Sequence, residues 1–194
     1  PTFYRPSLIS LSSQLSSEEK INLTGWQIEG KNRKRSFDIP QGVEKYDSYN
    51  PLFQEDILIK SGDRIYVSSA SSPLGMRRDL NFRPNRCLGY LVLTLDFAIP
   101  ISLNCPSPRP DRLPRYLENS CKEYIKSRAP CETLQYERLR TFDISGDALS
   151  LCRDYINSNF SYPGCFANYS QDSDFLINEW HIYMNIQNRE REIM

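Results

Sequence analysis

Ile57-Leu58-Ile59-Lys60-Ser61-Gly62-Asp63-Arg64-Ile65-Tyr66-Val67 decides the class of this chain. Two short runs rich in β-branched and aromatic residues flank a Ser-Gly-Asp turn, a content that suits strands packed on a core. The same pattern continues upstream. Strands are predicted over Ser7 to Leu11, Ile21 to Ile28, Ser36 to Ile39, Asp56 to Ile59 and Arg64 to Ser68. Polar turns separate them at Ser16-Ser17, Gly30-Lys31-Asn32, Gly42 and Ser61-Gly62-Asp63. Short strands with a turn signal about every ten residues predict a β-sandwich.

Downstream, Cys87-Leu88-Gly89-Tyr90-Leu91-Val92-Leu93 reads as one more strand. The loop from Pro100 to Pro114 follows, and Pro106, Pro108, Pro110 and Pro114 cannot donate to a ladder, which makes it an extended connector. Beyond it the period changes. Leu113, Tyr116, Leu117, Cys121, Tyr124 and Ile125 recur at helical spacing. A second helix is predicted with Ser145 as N-cap and Leu149, Cys152, Tyr155 and Ile156 on one stripe. Cys121-Lys-Glu-Tyr-Ile-Lys-Ser and Cys152-Arg-Asp-Tyr-Ile-Asn-Ser match class by class, so the two helices look like repeats that pack through Tyr124, Ile125, Tyr155 and Ile156. The organisation that follows is a β segment over 1–73, a cysteine-rich two-helix insertion over 74–170 and a return to the sandwich over 171–194.

The 194 residues suit one domain, or one domain with a large insertion. Lys plus Arg (24) balances Asp plus Glu (24), which argues against nucleic acid or an anionic membrane as the main partner. The longest uncharged apolar run, Leu88 to Leu95, is far short of the roughly 18 residues that span a bilayer. A start at Pro1 with no charged and then apolar leader reads either as a removed signal peptide or, as we favour, a cut from a longer chain.

All six cysteines, Cys87, Cys105, Cys121, Cys131, Cys152 and Cys165, fall after residue 86. With no Cys-x2-Cys pair and His181 the one histidine, the spacing speaks for disulfides over zinc, and so for an extracellular or cell-surface location. Six cysteines allow fifteen pairings. Because each repeated cysteine has a downstream neighbour, the simplest expectation is local: Cys87–Cys105, Cys121–Cys131 and Cys152–Cys165.

Ile21-Asn-Leu-Thr-Gly-Trp-Gln-Ile28 resembles the signature of the lamin-tail domain family, in which an apolar-x-Leu-[Ser/Thr]-Gly-Trp strand enters an immunoglobulin-like β-sandwich. Gly25 permits a bend and Trp26 is the expected core anchor. Ser36-Phe37-Asp38-Ile39-Pro40-Gln-Gly42 and the Ile57 to Val67 stretch resemble the family's next strand and hairpin. Phe82 to Tyr90, Asn104-Cys105-Pro106 and Asp174 to Tyr183, with Trp180 as a further core residue, are similar to bacterial secreted lamin-tail proteins that carry a cysteine-stapled insertion. In that subset a closing hairpin follows, whereas this chain stops at Met194; either the ending differs or the piece is truncated, and truncation leaves an open edge that invites self-association.

Candidate chemistry is sparse. A serine or cysteine protease needs a histidine base, and only His181 is available. Asp172 and Asp174 place two acids in one loop without the further oxygen ligands that calcium needs. Lys31, Arg33, Lys34 and Arg35 form the densest basic run, either a charged hairpin tip or a binding surface for an anionic partner such as nucleic acid or an envelope polymer. Three glycosylation acceptor patterns begin at Asn22, Asn159 and Asn168. No catalytic residue, cofactor or metal is expected. The expected function is a non-enzymatic extracellular or cell-surface structural or binding module of a bacterial envelope, with a protein or envelope polymer as partner. The alternatives are a secreted hydrolase or hydrolase accessory domain using His181 with nearby acids, and a carbohydrate-binding module.

Overall fold

The computed structural model describes residues 7–30, 36–49, 53–75, 80–107 and 113–184. The chain divides into two compact units. Unit 1 comprises Pro1–Asn85, Leu95–Pro100 and Leu176–Met194; unit 2 comprises Arg86–Thr94 and Ile101–Phe175, against the 74–170 expected for the insertion. With strands in one and helices in the other, the chain is mixed α and β rather than mainly β.

Unit 1 holds β1 (Leu8–Ser12), β2 (Lys20–Asn22), β3 (Gln27–Glu29), β4 (Ser36–Asp38), β5 (Gly42–Val43), β6 (Leu58–Lys60), β7 (Arg64–Ser68), β8 (Asn81–Phe82) and β9 (Glu179–Tyr183). A five-stranded sheet runs in the order β1-β7-β9-β8-β5, and β2-β6 and β3-β4 form two separate pairs. The β1–β7 and β8–β9 pairings are antiparallel, while β7–β9 and β5–β8 are parallel. Ile57 to Val67 therefore does not make a simple hairpin. Its turn closes, with the Asp63 N–H donating to Lys60 O at 3.1 Å, but β6 and β7 join different sheets.

Strand alternation sorts the side chains of the central strand β9. Trp180 and Ile182 pack with Ile65 and Val67 of β7 and with Leu23, Ile39, Ile57 and Ile59. His181 and Tyr183 take the other face against Phe82, whose ring stacks on Tyr183 with centroids 5.9 Å apart. Both faces of β9 are thus covered, which suits a strand with a parallel neighbour.

Trp26 corrects the sequence reading: it is 54% exposed, whereas Trp180 is 1% exposed. Gly25 adopts φ +84°, and the Trp26 N–H donates to Leu23 O at 3.0 Å, so a turn sits in the middle of the expected Ile21 to Ile28 strand. The turn splits that strand into β2 and β3: Leu23 before it and Ile28 after it face the core, and Trp26, in the turn itself, is exposed.

Unit 2 carries a 3-10 turn (Leu88–Leu91), α1 (Asn119–Lys126), α2 (Tyr136–Arg140), α3 (Gly146–Asn159) and α4 (Tyr162–Tyr169). The expected strand over 87–93 is this 3-10 turn, because an apolar run alone does not separate strand from buried helix. A Cβ on Gly89 would collide with the Cys105–Cys131 disulfide, so the close approach requires glycine there. Ser145 stands at the N-cap of α3, as expected, without a side-chain capping bond. At α4, Ser161 accepts the Gly164 N–H at 3.3 Å.

All six cysteines are paired, but none of the three local pairings occurs: the bonds are Cys87–Cys165, Cys105–Cys131 and Cys121–Cys152. The last joins the two repeated cysteines to each other. Cys121 and Cys152 lie on the same inward stripes as Tyr124, Ile125 and Ile156, so packing α1 on α3 brings sulfur to sulfur.

Candidate functional site

The residues marked by sequence do not assemble into one site. Lys31, Arg33, Lys34 and Arg35 lie outside the described residues. His181 is enclosed in unit 1, and its Nε2 faces Glu179 at 3.4 Å. Burial lowers its pKa below the usual histidine value, with Glu179 pulling the other way. Asp172 and Asp174 lie on an exposed loop of unit 2, where Asp174 pairs with Arg86 at 2.5 Å. Among the described residues no group of three or more His, Cys, Asp or Glu side chains is placed to hold a metal. Asn22 donates to Asp56 at 2.8 Å and Asn168 donates to Asn159 at 3.0 Å.

A different residue stands out. α1 ends where Pro130 approaches, since proline cannot continue the helix and biases Ala129 toward extended backbone. Arg128 lies in that exit. Its guanidinium carbon sits 3.9 Å from the centroid of the Phe160 ring, at the end of α3, and 6.0 Å from that of Tyr124. Nε, Nη1 and Nη2 are all closed to solvent, and none has a hydrogen-bond partner among the described residues. The nearby acid is already engaged: Glu132 accepts two bonds from Arg138 at 3.0 Å and one from the Ala129 N–H at 2.8 Å.

Arg128 lines a cavity of about 200 Å³ whose walls include Tyr90, Leu113, Ile125, Pro130 and Phe160. Among the described residues no acid lines it, and Lys126 at its rim is paired with Glu123 at 2.8 Å. Burial depresses the Arg128 pKa, an effect countered by Tyr124, Tyr90 and Glu132. Burial also pushes the Tyr90 phenol up to about 12, so it keeps its proton at neutral pH. The pocket therefore combines an apolar wall, a phenol and one buried cation with no acceptor among the described residues.

Unit 1 supplies the contrast. Arg83 is more fully enclosed, and it donates to Ile177 O at 2.9 Å, Asn178 Oδ1 at 3.0 Å, Asp63 Oδ1 at 3.1 Å and Glu44 Oε1 at 3.3 Å. That arginine is a satisfied structural clamp.

A second, shallower hollow of about 350 Å³ is lined by Tyr116, Leu151, Asp154, Tyr155, Ser158 and Asn159. Ser158 and Asn159 direct their donors at carbonyls of α3, at 2.6 Å and 2.8 Å.

Sequence reasoning missed Arg128 because Lys126-Ser-Arg128 reads as the ordinary basic end of a helix. No local signal separates an arginine that reaches water from one that turns back over Phe160. Comparisons of the chain with protein-family models, with curated proteins and with solved structures found no match.

Proposed function

We propose that this chain is a non-enzymatic binding module that works outside the cell, with the Arg128 cavity of unit 2 as its binding site. The single observation that carries the reading is that Arg128, whose side chain lines the cavity, has a buried guanidinium without an acceptor among the described residues. A charge enclosed without a partner costs stability, and a scaffold keeps one where a ligand completes it. Three disulfides frame the same unit, which supports an oxidising location. No described helix is long and apolar enough to cross a membrane. The enclosure of His181 within the strands of unit 1 supports a binding role over hydrolysis, which needs a reachable base.

An immunoglobulin-like arrangement of unit 1 is supported by the β2–β6 and β3–β4 pairs, whose Ile21, Ile28 and Phe37 pack on the cluster that holds Trp180. The parallel β7–β9 and β5–β8 pairings set it apart from a purely antiparallel sandwich.

A fragment screen read by tyrosine chemical shifts in the disulfide-bonded protein tests the reading. Ligands that shift residues around Arg128 and Phe160, and that lose affinity when Leu113→Trp fills the cavity, are expected. A screen in which no compound perturbs that wall would overturn it.

A further inference from the structure

We propose that the Arg128 cavity recognises a monocarboxylate carried on a small apolar body, such as one aromatic ring or a short aliphatic chain. This inference rests on the reading of the cavity as the binding site and adds the chemistry of what enters it.

A guanidinium stays protonated in proteins, so it cannot shed its charge to escape burial as a lysine can. Its five N–H donors form a planar fork that matches the two oxygens of a carboxylate. The guanidinium carbon lies 3.9 Å from the centroid of the Phe160 ring, and its N–H donors are without an acceptor among the described residues. Those donors are closed to bulk water, so a shift of the Arg128 side chain is the motion that presents them to an entering anion. Tyr90 lines the same cavity and keeps its phenol proton at neutral pH.

Size and charge narrow the class. A volume of about 200 Å³ falls below the roughly 300–1,000 Å³ of drug-sized sites and is close to the approximately 150 Å³ that admits benzene. Leu113, Ile125 and Pro130 offer apolar contact for such a body. Among the described residues Arg138 neutralises Glu132 and Glu123 neutralises Lys126, which leaves the single positive charge of Arg128. One negative charge balances this surrounding; a dianion such as phosphate overshoots it and leaves the apolar wall unfilled. The same carboxylate occurs on a free small acid and at a peptide C-terminus, two sources that the experiment separates.

The experiment is a titration of the full disulfide-bonded chain, followed by NMR and calorimetry, with benzoate, phenylacetate and butyrate. Each is paired with its neutral amide, and inorganic phosphate and a short peptide ending in Phe, with free or amidated C-terminus, complete the set. At least tenfold tighter binding of a carboxylate than of its amide is expected, with shifts at Phe160 and Tyr90. Arg128→Met is expected to abolish the preference and Arg128→Lys to weaken it, since a point charge lacks the fork. Stronger binding of benzoate than of the peptide assigns the site to free acids; the reverse assigns it to a chain terminus; both support the carboxylate. Amides binding as well as acids would overturn the carboxylate but keep the cavity as a site. Phosphate binding more tightly than every carboxylate would also overturn it. No binding by any probe removes both readings. The acid-to-amide comparison on the unaltered protein needs no variant to fold.

Discussion

Replacing Arg128 with methionine is expected to stabilise unit 2, although it deletes a side chain packed against two rings. Among the described residues the guanidinium has no acceptor for any nitrogen, and a buried neutral donor left unpaired costs about 1–3 kcal/mol, more when charged. Its compensation is the attraction to Phe160 at 3.9 Å and Tyr124 at 6.0 Å, worth up to about 2 kcal/mol when desolvated. Methionine keeps most of the apolar contact, and its sulfur also favours aromatic neighbours. The balance is a gain of about 1–2 kcal/mol, or a rise in melting temperature of roughly 2–8 °C for a chain of this size. Both tryptophans lie in unit 1, whereas seven of the twelve tyrosines and all three disulfides lie in unit 2, so near-UV dichroism of the tyrosines and disulfides is weighted toward unit 2, and tryptophan fluorescence serves as the internal control. The expected result is a later tyrosine transition with the tryptophan transition unmoved. A destabilisation of about 2 kcal/mol or more would falsify the reasoning, because it means the guanidinium holds an acceptor whose loss is being measured.

Four further outcomes test other parts of the structure. Removing the Cys121–Cys152 bond as C121A/C152A opens a link of sequence separation 31 and should cost about 3–4 kcal/mol in the loop-entropy model; denaturant unfolding checks it, and a non-reducing peptide map showing Cys121–Cys131 instead refutes the pairing. Trp180→Ala should lose about 3–5 kcal/mol and Trp26→Ala well under about 1, a contrast read by urea midpoints that inverts if Trp26 is the core anchor. Arg83→Met strands the buried Asp63 carboxylate and should cost about 3–5 kcal/mol, whereas changing both Arg83→Met and Asp63→Leu should recover part of the loss. His181 is held neutral in the fold with its pKa below 6.5, so the unfolded chain takes up its proton first; stability is full above about pH 6.5 and falls as pH drops through the window down to the folded value. His181→Phe should flatten that slope in pH-dependent urea melts, and an unchanged slope refutes the assignment.

How much of this was legible depends on whether the deciding contact is local. The alternation of Ile57 with Ile59 and of Ile65 with Val67 marks their core face directly, and the structure buries all four. The three-and-four spacing of Cys121, Tyr124 and Ile125 announces α1 in the same way. Trp26 misleads because it sits in a turn, with Gly25 at positive φ, rather than inside a strand, which composition alone does not reveal. Disulfide pairing is a through-space property. The repeat of Cys121 and Cys152 carried the signal, since equivalent positions on two packed helices meet across the interface rather than each in its own return loop. Leu88–Leu91 shows the remaining ambiguity: a short apolar run serves a buried 3-10 turn as well as a strand.

Arg83 and Arg128 show why the candidate site could not be read from residue type. Both are arginines that withdraw from water, and both cost desolvation. Arg83 recovers it through Glu44, Asp63, Ile177 and Asn178, and so belongs to the architecture of unit 1. Among the described residues Arg128 recovers only ring contacts, and Glu132, the acid that acts on it electrostatically, is occupied by Arg138. A unit that keeps such a charge needs stability from elsewhere. Three crosslinks spanning 26, 31 and 78 residues supply it, each contributing about 3–5 kcal/mol through the unfolded chain. On this argument covalent restraint is what lets unit 2 keep a guanidinium that has no acceptor among the described residues, where a weaker scaffold would fold it outward to water.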